Sequence, residues 1–420
     1  MNKLTVTKGT TKLLEETSAF DLNRNITSVT SANGQKIYTY DETNQLLSQT
    51  HPNGQFSESY SYDVLGNRLS KTTMKNGVYS NINYQYDNNN RLTYVNSQPY
   101  IFDDNGNRTK DTKYTYEYNS FDQITSIKNN AGNVIASYNY DDKGRRKSKT
   151  VTGKTTYYHY DKGTNILFET DSIGNITADY IYDSEGMPLI MTKNGQNYYY
   201  VYNINKEITS LTNASGDVVA SYSYDAWGNI LSQSGTMATD NPLRYKGYQY
   251  DDETGLYYLI ARYYQPEEGV FLTADPEGGD TANQHTQNGY NYANNNPIML
   301  FDPDGNAALA LGLIFIPGVG QAVLITGGVI IAGGLAYSAG SWIGKKGQAI
   351  YAEKVRSKYP AGKRYTYNTR KAAEQAARKA GGNKKPVNHS NNEKKPHFHP
   401  NVPKGNSKHH DHYYYPKHSR

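Results

Sequence analysis

The chain has 420 residues, 42 of them tyrosine and none cysteine, with 36% hydrophobic residues and a mean hydropathy of −0.83. That length holds two or three domains with a sizeable core, and the missing thiols exclude disulfide stapling and thiolate zinc sites. The net charge of +5 conceals a division: residues 345–420 carry 19 Lys and Arg against four Asp and Glu, or +15, and residues 1–344 carry 25 against 35, or −10, which fits a basic tail on an unrelated carrier, either anion-binding or merely solubilising.

Residues 1–20 contain no basic stretch followed by an apolar core, so no secretion signal is expected there; export by another route, or a longer parent chain, is expected instead. An aromatic residue followed by Asp then recurs at Tyr40-Asp41, Tyr62-Asp63, Tyr86-Asp87, Phe102-Asp103, Phe121-Asp122, Tyr140-Asp141, Tyr160-Asp161, Tyr182-Asp183, Tyr224-Asp225 and Tyr250-Asp251, with Tyr202-Asn203 filling the one gap. The spacing stays near twenty residues, the mark of a repeat architecture. Within a unit, a period-2 run such as "ASYNY" (136–140) sets Tyr138 and Tyr140 on one strand face. A turn follows, as "GNR" at 66–68 and 106–108, "GRR" at 144–146, and "GN" at 174–175 and 228–229. Asp and Asn bond their own backbone and Gly supplies positive φ, so the chain reverses cheaply there. A single unit cannot bury its tyrosine face, so neighbouring units must stack into continuous sheet.

These repeats, over roughly residues 20–306, resemble the YD repeats of the RHS family, whose strands spiral into a large hollow shell. The resemblance is most specific in "NPLRYKGYQYDDETGLYYLIARYYQPEEGVFLTADP" (241–276) and "YNYANNNPIMLFDPDG" (290–305), which look like the RHS repeat-associated core. Tyr245, Gly247, Gly255, Leu256, Tyr257, Tyr258, Arg262, Tyr263, Tyr264, Gly269, Phe271, Asp275 and Pro276 stand where that motif expects them. The implied fold is mainly β, with repeats over 1–240 and the core over 241–306. The implied chemistry is aspartyl self-cleavage that releases a variable C-terminal segment held in the shell. Asp275 in "DPEGG" and Asp302 in "DPDGN" would be its carboxylates, with pKa values split by proximity, and Arg262 would steady them as a cation. The family's cut often follows a Leu after "DPxG"; Asn306 stands there in this chain, so cleavage after Asn306 is an expectation on the carboxylates alone. The plainer alternative makes both Asp-Pro dipeptides simple turns.

No charged residue occurs from Gly305 to Gly344. This apolar segment, set off as 307–346, has a short run (307–316), a Pro317-Gly318 break, and a run (319–343) long enough to span a bilayer. Transient membrane contact through 307–344 during translocation is one expectation; lining of the shell interior and a permanent anchor are others.

A basic, His-rich α+β domain is expected over 347–420. Helices are expected at "GQAIYAEKVRSKY" (347–359) and at "NTRKAAEQAARKAGG", which opens on an Asn368 N-cap and carries a Glu374–Arg378 pair. Short strands are expected at "PHFHP" and "HHDHYYYP", joined by "PKGNSK". On strands, His397 and His399 share one face, as do His410 and His412. Such imidazoles permit RNA cleavage without metal, one removing the 2′-hydroxyl proton and another protonating the leaving oxygen. They equally permit a divalent metal at His397, His399 and His410 or His412. Lys384, Lys385, Lys394, Lys395 and Lys404 suit phosphate contacts, and Tyr413 to Tyr415 suit base stacking. A sticky disordered tail is the plain alternative.

The expectation is therefore a secreted or wall-associated RHS toxin whose nuclease domain enters a target-cell cytoplasm, prefers RNA to DNA, and is neutralised by an immunity protein. An adhesive, carbohydrate-binding wall protein and a pore former acting through the apolar segment are the competing classes.

Overall fold

The computed structural model describes residues 2–8, 11–183, 185–276, 284–306 and 308–310, with short strands at 322–324, 329–332, 335–338, 364–366, 387–389, 397–399 and 412–414. These residues form strands, turns and a few single 3-10 turns, with no α-helix. The chain divides into a large unit, Met1–Gly340, and a small one, Ser341–Arg420.

The large unit is built on two antiparallel meanders. One has 13 strands and the other 14, and each strand of the repeats pairs with the next in sequence. The repeating turn explains the Tyr-Asp signature. In the unit at Asp63, the Asp63 N–H donates to the Asn67 carbonyl at 2.9 Å, and Oδ1 accepts from the N–H groups of Leu65 and Asn67 at 2.9 and 2.8 Å. The fourth residue, Gly66, takes φ +76, and Asn44 takes φ +68 in the preceding unit. An Asx side chain thus does the work of a second turn bond, and a left-handed residue closes the reversal with a bulge. Neighbouring turns are stitched by side-chain amides, Asn25 Nδ2 to Asn44 Oδ1 at 2.8 Å and Asn67 Nδ2 to Asn90 Oδ1 at 2.9 Å.

In most repeats the tyrosine before the turn reaches back one hairpin, the hydroxyls of Tyr86 and Tyr224 being without a partner among the described residues. Tyr40, Tyr62, Tyr140 and Tyr160 donate their hydroxyls to the carbonyls of Ile26, Leu46, Ile124 and Arg146 at 2.7 to 2.9 Å. The aromatic body fills the core while its oxygen satisfies a strand carbonyl at the same time. This geometry corrects one repeat boundary. Phe121 is 80% exposed on a turn; the equivalent residue is Tyr118, which donates to the Arg108 carbonyl at 2.7 Å, with Asn119 in the Asp role. Phe121-Asp122 matched the aromatic-Asp pattern but sits inside the reversal, and Phe has no hydroxyl to donate. Phe20-Asp21 adds a further unit ahead of Tyr40.

Residues after Ile230 form a compact four-stranded sheet, Gln249–Asp251, Leu256–Leu259, Arg262–Gln265 and Val270–Phe271, packed under the meanders. The asparagines of 288–296 run along the turn row: Asn288 donates to Asn67 Oδ1, Asn295 to Gln45 Oε1, and Asn296 to Asn25 Oδ1, at 2.7 to 3.0 Å. Strands within the apolar run extend the first meander, Ala322–Leu324 pairing in parallel with Asn2–Lys8. No helix among the described residues is long and apolar enough to cross a membrane.

In the small unit, four strands lie in the order Arg364–Thr366, His412–Tyr414, His397–His399, Val387–His389. The first pair is parallel and the other two are antiparallel. The helices expected at 347–359 and 368–382 lie outside the described residues.

Candidate functional site

The core sheet brings Arg262, Asp275 and Asp302 together. Arg262 begins the strand Arg262–Gln265, and its guanidinium lies 3.7 Å over the Phe271 ring, an apolar floor that fixes its plane. Its Nη2 stands 2.7 Å from Asp275 Oδ2 and 3.3 Å from Asp302 Oδ2, so one terminal nitrogen joins two carboxylates from distant segments. The remaining donors are used as well: Nη1 reaches the Gly289 carbonyl at 2.9 Å and Nε the Gly305 carbonyl at 2.5 Å.

The two carboxylates differ in environment. Asp302 is 2% exposed, and burial pushes its carboxyl above the usual carboxylate range although Arg262 pulls the other way. Burial likewise lowers Arg262, against the pull of both aspartates. Asp302 Oδ1 accepts from the N–H of Gly305 at 2.8 Å and of Asn306 at 3.1 Å. Its own N–H donates to the Tyr248 hydroxyl at 2.9 Å, which meets the Tyr292 hydroxyl at 2.9 Å. The Gly305–Asn306 amide is therefore held at both ends: Arg262 on its carbonyl oxygen and Asp302 on its nitrogen. Gly305 is required there, because φ is +78 and an added Cβ would lie 2.5 Å from the Leu259 carbonyl oxygen.

Tyr248, Tyr292 and the Gly289 carbonyl escaped the sequence reading. The two tyrosines look like core packing among 42 of their kind, and a backbone carbonyl leaves no sequence signal at all.

In the small unit the strands 397–399 and 412–414 are antiparallel neighbours, with His397 opposite Tyr414 and Phe398 opposite Tyr413. His410, Tyr415 and the lysines 384, 385, 394, 395 and 404 lie outside the described residues.

A family model described as the teneurin YD-shell matches residues 1–298. The chain is 41% identical over 270 residues to the tRNA nuclease WapA of Bacillus subtilis (strain 168), a match covering 64% of this chain and 12% of that protein. It is 42% identical over 270 residues to the tRNA(Glu)-specific nuclease WapA of Bacillus subtilis subsp. natto, with the same coverage. The chain thus spans a small fraction of the length of the curated relatives it matches. Among solved structures it resembles the TcdB2-TccC3-Cdc42 crystal structure, with a TM-score of 0.59 at 20% identity, covering 70% of this chain and 17% of that one. The Photorhabdus luminescens Tc holotoxin pore gives a TM-score of 0.58 at 21% identity, with the same coverage. At such identities the likeness concerns the fold.

Proposed function

The chain belongs to the teneurin YD-shell family, and we propose that it is part of a secreted or wall-associated RHS-type toxin whose basic small unit cleaves RNA in a target cell. The observation that carries this reading is the antiparallel pairing of His397–His399 with His412–Tyr414, which makes the two histidine-bearing strands neighbours. Histidines supply an acid and a base near neutral pH. The charge of +15 over residues 345–420 suits a polyanion, and two relatives bear names of tRNA nucleases. An immunity protein would protect the producer. Membrane contact through 307–344 is a further element of the proposal, and a divalent ion at the histidines is the alternative to metal-free acid–base cleavage. Induced expression of the chain in cells lacking the immunity gene is expected to stop growth, and a His399→Gln/His412→Gln variant made at equal level is expected not to. Arrest that persists in the variant with membrane depolarisation would favour the pore former, and unimpeded growth with the unmutated chain would favour the adhesin.

The held amide supports self-cleavage as a second activity. Water adds to the Gly305 carbonyl carbon as Asp275 takes its proton, Arg262 holds the carbonyl oxygen, and protonated Asp302 gives its proton to the nitrogen as the C–N bond breaks. The bond so gripped is Gly305–Asn306, one residue before the cut expected from the family pattern. Purified protein is expected to split into two fragments, a split lost in Asp302→Asn. Sequencing the new N-terminus separates the two bonds: it begins at Asn306 if the gripped amide is the target.

A further inference from the structure

The second meander of the large unit uses one core pairing three times, with one change. Its strands Ile124–Asn129, Ile166–Thr170 and Ile208–Thr212 follow equivalent turns, and each sets its fourth residue opposite a small alanine. The pairs are Ile127 with Ala136, Glu169 with Ala178, and Leu211 with Ala220. Ile127 and Leu211 are wholly buried in the core. A carboxylate therefore stands where the repeat elsewhere packs an aliphatic side chain. Beside it a cavity of about 170 Å³ opens between this stretch of the meander and residues 239–253. Its wall is one cross-strand row, Tyr158, Glu169, Ala178 and Lys193 being successive partners on a single face.

The other carboxylates around the cavity have cations of their own. Glu253 is 3.0 Å from Lys149, Asp240 is 3.2 Å from Lys193, and Asp252 is 3.1 Å from Arg244. Glu169 takes part in no ion pair among the described residues, and its Oε1 accepts from the Tyr180 hydroxyl at 2.9 Å. Burial pushes its carboxyl above the usual range, against the Tyr180 bond and the charges of Lys149, Lys193 and Arg146. A second acceptor stands in the same lining: Gln249 is 5% exposed, and its Oε1 has no hydrogen-bond partner among the described residues. Tyr158, Tyr180 and Tyr250 share the lining.

We infer that this cavity binds a small organic molecule through a primary ammonium group seated on Glu169. An unpaired carboxylate, an unused amide oxygen and aromatic rings all attract a cation. A hard metal ion asks for six or more converging oxygens, and no group of three acidic or histidine side chains among the described residues is placed to hold one. The volume also exceeds that of a lone ion, since a water molecule takes about 30 Å³. The ammonium donates to Glu169 and Gln249, and the carbon frame lies against the tyrosines. Amino sugars and short diamines share this chemistry. The inference stands apart from the nuclease reading, and either can fail without the other.

The test is calorimetric titration of the full chain with D-glucosamine, with putrescine, and with the uncharged N-acetyl-D-glucosamine. At least one of the two amines is expected to bind, ~10-fold or more tightly than the uncharged sugar, the ratio that a hydrogen bond to a charged group confers. Binding of glucosamine alone assigns an amino sugar, and binding of putrescine alone assigns a diamine. Glu169→Gln keeps the shape and removes the charge, and is expected to weaken the bound amine ~10-fold or more. Glu169→Leu, which installs the side chain of the equivalent repeat, is expected to abolish binding. Absence of binding by both amines overturns the inference. So does equal binding of the uncharged sugar, or undiminished binding of the amine by Glu169→Gln.

Discussion

The hydroxyl is what the repeat asks of its tyrosine. Tyr140 donates to the Ile124 carbonyl at 2.7 Å from a half-buried position packed against the core, and the same bond recurs at Tyr40, Tyr62, Tyr118 and Tyr160. Phenylalanine keeps the ring and its apolar area but leaves a carbonyl lacking a partner, so the loss isolates the hydrogen bond. Tyr140→Phe is expected to destabilise the large unit by about 1–2 kcal/mol in urea denaturation. Phe121→Ala, exposed on its turn, is expected to change stability by less than about 0.5 kcal/mol. A reversed order would restore the Phe121-Asp122 register and undo the assignment of Tyr118 and Asn119. The repeat was legible because period and turn chemistry are local. The misplaced unit arose because a decoy aromatic stands before an Asp three residues into a turn, where only the fold distinguishes buried from exposed.

At the scale of elements, the meanders are tied to the core sheet by buried arginines that follow the turn. Arg68, Arg108 and Arg146 occupy one equivalent position, immediately after the second residue of "GN" or "GR", where other repeats carry Ile26, Leu46 or Ile124. Arg146 is wholly buried; its Nη1 is 2.5 Å and its Nη2 3.1 Å from the two oxygens of Asp251. The ring of Tyr258 lies 4.4 Å from its guanidinium carbon, and Tyr138 and Tyr158 lie 5.2 and 5.1 Å away. Arg108 pairs with Glu268 at 2.5 Å. Removing Arg146 leaves Asp251 in a dry site with Lys149, at 2.8 Å, as its remaining cation. Arg146→Met is therefore expected to cost about 3–5 kcal/mol, and Asp251→Asn in the same chain is expected to recover part of it. Strict additivity of the two changes would mean that the pair does not couple wall to core. None of this was legible in the sequence, where "GRR" reads as a basic surface turn and the partner stands 105 residues away. The Arg262 cluster was legible only through the family motif, since Asp275 and Asp302 are separated by an Asn-rich segment whose course the spacing does not reveal. In the small unit the strand at 364–366 was illegible for a related reason. It pairs in parallel with 412–414, across nearly fifty residues, and no local pattern announces a parallel edge.

For the molecule as a whole, acidic repeats and a basic C-terminal unit divide the labour. The large unit spends its tyrosines on sheet and turn, and the doubly held Gly305–Asn306 amide stands where the repeats and core give way to the apolar segment. Beyond it, the described strands of the small unit include His389, His397, His399 and His412. Under the proposed function the C-terminal unit is the effector and the rest its carrier, and RNA is the substrate because it alone brings a 2′-hydroxyl as internal nucleophile. The most direct test is to incubate the purified chain with matched RNA and DNA strands, with and without EDTA, and to resolve the products. Cleavage of RNA alone, unaffected by EDTA and leaving 2′,3′-cyclic ends, is the predicted result. Intact RNA under both conditions would contradict it, as would DNA cut at the same rate.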